Sequence, residues 1–97
     1  MFRNYEQVAA MTRLNYPPGT RLELISMDDP HAIPPGSRGT VDHVDDMGTI
    51  HMRWDSGRSL GIVPGEDSFR KLTTEELVAE QELASEQESG GIGWQTL

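Results

Sequence analysis

Residues 49–69, TIHMRWDSGRSLGIVPGEDSF, decide the fold. Ile50, Met52 and Trp54 alternate with His51 and Arg53, the period of a half-buried strand. Asp55-Ser56-Gly57 follows, and Gly57 suits the left-handed backbone of a tight hairpin turn. Residues 58–63, RSLGIV, read as the returning strand. Pro64-Gly65-Glu66-Asp67 then turns a corner into a last short strand, SFRKL, at residues 68–72. Tight turns are needed here because a one-residue slip would expose Ile50, Met52 and Trp54 to water.

The same period holds upstream. Leu22 and Leu24 share one face of residues 20–26, with Arg21 and Glu23 on the other. Residues 27–37, MDDPHAIPPGS, hold three prolines and therefore form a loop. Residues 38–44, RGTVDHV, read as another strand, in which Gly39 marks a bulge or a close backbone approach. The resulting expectation is a mainly β fold: a small five-stranded antiparallel SH3-like barrel over residues 16–72.

Helical segments flank the barrel. Residues 1–15 read as an N-terminal helix with Tyr5, Val8, Ala9 and Met11 on one broad face, stopped by Pro17-Pro18-Gly19. This helix either caps an open end of the barrel or forms a homodimer contact. Residues 73–97 read as an acidic helix and flexible tail. Thr73 and Glu76 fit a capping box. Glu80 and Gln81 interrupt the apolar stripe between Leu77 and Ala84, so packing on the body is expected to contribute little. Ile92, Trp94 and Leu97 belong to a mobile tail or serve as anchors in a partner's groove.

Composition narrows the function. Ninety-seven residues make one domain with a small core. With no cysteine, disulfides, thiolate metal sites and cysteine nucleophiles are excluded. No apolar run approaches the roughly 20 residues of a membrane span, and the start lacks a signal-like stretch, so a cytoplasmic protein is expected. The net charge of −8 is uneven. Residues 1–72 carry all 8 basic and 10 acidic residues, whereas residues 73–97 carry 6 glutamates and no base. Lys71 is the single lysine, which argues against direct nucleic-acid binding, because that affinity rests on neutralising phosphates.

Two acidic clusters are candidate metal sites: Asp28, Asp29 and His31, and Asp42, His43, Asp45 and Asp46. Pro30 restricts the first from converging, and the second lacks the calcium-loop pattern, with Val44 and Met47 where an acid and a glycine belong. Turn chemistry accounts for both, so no metal is expected. Ser26, Ser37, Ser56 and Ser59 lie in no nucleophile motif, and no phosphate-binding or dinucleotide fingerprint occurs. Neither catalysis nor a cofactor is expected. Trp54 fits the core, or alternatively an aromatic peptide groove.

The segments PPGTR (17–21), MDDP (27–30), GTV (39–41), VDD (44–46), the Trp54-Asp55 pair with Gly57, and DSFRKL (67–72) closely resemble domain-of-unknown-function family 4314. The resemblance implies a small protein of a bacterium, a phage or a conjugative element, and carries no activity with it. PPGSRGTV (34–41) and IHMRWDSG (50–57) are more distantly similar to SH3-like and KOW-type barrels, which bind many kinds of partner.

These readings converge on a non-catalytic module whose partner is another protein. The contact residues are expected among Asp28, Asp29, His31, Asp45, Asp46, Trp54, Asp55 and Trp94. The alternative is an acidic phage or mobile-element inhibitor of a host nucleic-acid-binding defence system, of anti-CRISPR or anti-restriction type, with carboxylates imitating phosphates.

Overall fold

The computed structural model describes residues 4–92 and, of their side chains, those of residue 4 and residues 6–85. The elements run α1 (Asn4–Asn15), β1 (Arg21–Ser26), β2 (Arg38–Val44), β3 (Ile50–Trp54), β4 (Ser68–Lys71) and α2 (Thr74–Ile92). The strands form one antiparallel sheet in the order β3-β2-β1-β4. Alternation drives the burial: Leu22 and Leu24 of β1, Val41 of β2, and Ile50, Met52 and Trp54 of β3 all face one side. The register of β2 against β3 shifts between Val41 and His43. That irregularity turns both Asp42 and His43 outward and returns Val44 to the core.

Of the five expected strands, the one over residues 58–63 is absent among the described residues. Residues 58–63 contribute a single bridge, in which Ile62 and Ile50 exchange two backbone hydrogen bonds of 2.8 Å. The reason is local. The Leu60 carbonyl accepts from the Trp54 indole N–H at 2.6 Å, so it is turned away from a ladder. Gly61 also crosses β3 closely, since a Cβ there would lie 2.9 Å from Thr49 Cγ2. Gly39 is equally constrained: a Cβ would meet the Arg53 carbonyl oxygen and Trp54 Cε3, both at 2.9 Å. Here glycine is required by space. At Gly57 it is required by backbone, with φ at 97° in the turn between Trp54 and Arg58.

Among the described residues nine make the core cluster: Leu22, Leu24, Ile33, Val41, Val44, Ile50, Met52, Trp54 and Ile62, with Tyr16, Met27, Leu60 and Phe69 packed against them. Ile33 comes from the proline-rich loop and is fully buried. This plug anchors an otherwise irregular segment, helped by the Gly36 amide donating to the Leu24 carbonyl at 2.7 Å.

Helix α1 turns inward only part of the face its sequence suggests, and the Tyr5 side chain of that face lies outside the described residues. Ala9 and Thr12 are buried, whereas Val8 and Met11 are about half exposed. The small Ala9 lets the β2–β3 turn approach, so that a Cβ on Gly48 would lie 3.7 Å from Ala9 Cα. The Thr12 hydroxyl donates to the Val8 carbonyl at 2.7 Å, which satisfies it inside the interface. Arg13 fastens the helix end to the sheet through the Val44 carbonyl and Asp46.

Candidate functional site

Three arginines project from the outer face of the sheet on three adjacent strands. Arg38 on β2 and Arg70 on β4 both stand opposite Glu23 of the central strand β1, and Arg21 lies two residues from Glu23. This placement follows from parity, because residues 21 and 23 point away from Leu22 and Leu24. Helix α2 starts after Leu72 and Thr73. The expected capping box forms, with the Glu76 amide donating to Thr73 Oγ1 at 3.1 Å and the Thr73 amide to Glu76 Oε1 at 2.8 Å. It directs the helix over the arginines.

One turn apart on that helix, Glu76 and Glu80 meet them. Arg70 grips Glu76 with both terminal nitrogens, at 2.8 and 2.7 Å. Arg21 grips Glu80 through Nε at 3.1 Å and Nη2 at 2.7 Å. Arg21 also holds Asp55 bidentately, with both distances 2.8 Å. Arg38 lies between, donating to Glu23 at 3.0 Å, Glu80 at 3.2 Å and Glu76 at 3.3 Å. Three guanidiniums therefore serve four carboxylates, two from the body and two from α2. Among the described side chains of α2, the large apolar ones stay outside this contact, with Leu77, Val78 and Leu83 all exposed. The helix is thus held by charge and hydrogen bonds, where the sequence suggested a loosely attached tail.

The network shifts its own proton equilibria. The Arg70 hydrogen bonds, aided by the Thr73 amide, lower the Glu76 carboxyl to about 2. Arg21 lowers Glu80, and likewise Asp55. A carboxyl lowered in the folded state stabilises that state above its unfolded pKa and loses this as pH falls through the folded value. For Glu76 the contribution is whole above pH 4.5 and disappears toward pH 2. A carbon-detected NMR titration is expected to place the Glu76 midpoint near pH 2. In Arg70→Gln the midpoint returns toward 4.5; an unchanged midpoint would show that Arg70 is not its cause.

The residues singled out in the sequence divide between several places. Asp28, Asp29 and His31 are exposed on the 27–37 loop. Asp29 closes a turn by accepting the His31 amide at 2.7 Å. Arg58, just past the 55–57 turn, donates to the carbonyls of His31 and Ala32, so loop and turn form one edge. Asp45 shapes the β2–β3 turn, accepting the Met47 and Thr49 amides at 2.9 and 3.0 Å. Asp46 pairs with Arg13 at 2.8 Å. Trp54 is buried in the core, and Asp55 belongs to the arginine network. Trp94 lies outside the described residues. No group of three or more His, Asp or Glu among the described residues is arranged to hold a metal ion.

On β2 and β3, His43 and His51 stack with ring centres 4.4 Å apart. His43 Nδ1 lies 2.8 Å from Asp42 and His51 Nε2 lies 2.8 Å from Asp45. These imidazole contacts are the largest influence holding Asp42 and Asp45 below the usual carboxyl range. Asp42, His43 and Asp45 belong to the cluster that turn chemistry accounts for in the sequence, whereas His51 is an outward residue of its strand; the outward turn of both Asp42 and His43 comes from the irregular register.

Residues 5–72 match the family described as a domain of unknown function, DUF4314. The chain belongs to that family. The three arginines lie inside the matched region, whereas Glu76 and Glu80 lie beyond it. No curated protein matches the chain. Among the described residues no helix is long and apolar enough to cross a membrane.

Proposed function

We propose that this chain is a non-catalytic protein-binding module of the cytoplasm, built on a small SH3-like barrel and belonging to a bacterium, phage or mobile element. The strand order, together with the Ile50–Ile62 bridge, is consistent with such a barrel. The observation that carries the reading is the edge made by the 27–37 loop and the 55–57 turn. Ile33 pins the loop from inside and Arg58 ties it to the turn from outside. A loop fixed in this way presents Asp28, Asp29 and His31 with little ordering left to do on binding. Small-molecule chemistry has less support. The cleft between α1 and β2, lined by Arg13, Tyr16, Pro18, His43 and Val44, holds about 230 Å³. Hollows of about 480 Å³ and 300 Å³ reach the range of roughly 300–1,000 Å³ usual for ligand pockets, but the first is lined by Val78, Gln81, Glu82 and Ser85 of the single helix α2 and the second by Glu6, Ala9, Arg13 and Asp46.

The phosphate-imitating inhibitor is less favoured by the geometry. Glu76 and Glu80, two of the carboxylates it would use, are engaged by the protein's own arginines.

Photo-crosslinking residues placed at 28 and at 56 in the native host test the edge. The reading expects one and the same protein to be captured from both positions and not from position 63 on the far turn. Capture of unrelated proteins from 28 and 56, or equal capture from 63, would contradict it.

A further inference from the structure

We propose that the Arg21–Arg38–Arg70 face is a second docking site, which takes an acidic helix from a partner protein and is held shut in the free chain by α2. The site is separate from the loop edge and does not depend on it, although Asp55 adjoins both.

The occupant already in place defines the ligand chemistry. It is a helix presenting carboxylates at positions i and i+4, which lie about 6 Å apart along the axis. Those carboxylates meet planar guanidinium forks, a pairing that favours bidentate geometry over simple point-charge attraction. All three arginine side chains keep some solvent access, at 19%, 31% and 37%. Their present partners are therefore exchangeable. Among its described side chains, helix α2 brings no buried apolar residue to the contact; Leu72, just ahead of it, is buried. A helix held mainly by partly exposed ion pairs is weakly held. A partner helix that adds apolar contacts to the same two carboxylates would displace it.

Charge selects a protein helix over nucleic acid. With α2 removed, the face keeps three arginines but also Glu23 and Asp55. Two fixed carboxylates among the arginines suit a ligand with few, spaced charges. They repel a phosphodiester chain, whose charge is dense, and the net charge of −8 adds to that repulsion. The matched family region ends at residue 72, so the arginine face belongs to the family domain while the helix that covers it lies beyond.

The test uses the full chain and a fluorescein-labelled peptide of residues 73–92 as a stand-in for an acidic partner helix. In the wild type, α2 competes from the same molecule at high effective concentration. In Glu76→Gln/Glu80→Gln it no longer occupies the arginines. Anisotropy titration at low salt is expected to show at least about tenfold tighter peptide binding to the double variant than to the wild type. Adding Arg70→Gln to the double variant is expected to remove that gain, with circular dichroism confirming an intact sheet. Equal binding to the wild type and the double variant would overturn the proposal. So would tighter binding of a twelve-nucleotide oligothymidylate than of the peptide, which would make the face a phosphate site. Wild-type dimers in light scattering that vanish in the double variant would assign the face to a second copy and overturn it too.

Discussion

Trp54→Ala is expected to be the most damaging single substitution in the chain. Trp54 is 3% exposed, packs with Ile50 and Met52, and donates its indole N–H to the Leu60 carbonyl. Truncation removes the largest side chain of a small core and leaves that carbonyl without its partner. Comparable changes cost about 3–5 kcal/mol. A domain of this length has roughly 5–15 kcal/mol in total. The urea midpoint should therefore fall by about a fifth or more, and the turn over residues 55–61 should exchange its amides faster. A midpoint close to wild type would mean that Trp54 is not the centre of the core.

The second large effect is expected at Ile33. Its position within a loop of three prolines suggests an exposed, forgiving site, yet it is fully buried in the core cluster. Ile33→Ala should cost about 2–5 kcal/mol. It should also act locally, freeing the loop before the sheet unfolds. Limited proteolysis at residues 28–36 is expected to speed up under conditions where the strands stay protected. Uniform acceleration across the chain would show that the loop has no plug of its own. In the proposed binding role, the variant should also weaken capture through position 28, since ordering the loop would then oppose binding.

Much of the sheet was legible because alternation is a strong signal wherever one face is buried. Arg21-Leu22-Glu23-Leu24 and Ile50-His51-Met52-Arg53-Trp54 leave little choice of face. The stretch 58–63 carries the same alternation and still forms only a bridge, because Gly61 crosses β3 closely and the Leu60 carbonyl is taken by Trp54. Periodicity reports which side a residue faces, but not whether its carbonyl has another partner. The capping box at Thr73 and Glu76 was readable because it is local. What that helix docks against was not. Glu80 reads in sequence as the break in an apolar stripe, and in the structure it is one of the two residues that face the body. A helix scored for hydrophobic periodicity looks unattached when its contact is made of charge. The available signal was Arg21, Arg38 and Arg70 on the outward parity of three strands together with a Glu-x-x-x-Glu spacing. Strand order was needed to bring those pieces together.

The glutamates of α2 clasp the helix to the sheet, and both the closed arginine face and the lowered Glu76 carboxyl depend on that contact. Because the chain has no cysteine, Ser59→Cys with Ser85→Cys gives clean double spin labelling. Electron–electron distance measurement at neutral pH and low salt is expected to give one narrow distribution. In Glu76→Gln/Glu80→Gln, or at 1 M salt where screening reaches about 3 Å, the distribution should broaden. A broad distribution in the wild type would contradict the clasp, and so would a narrow one that neither the double substitution nor salt disturbs.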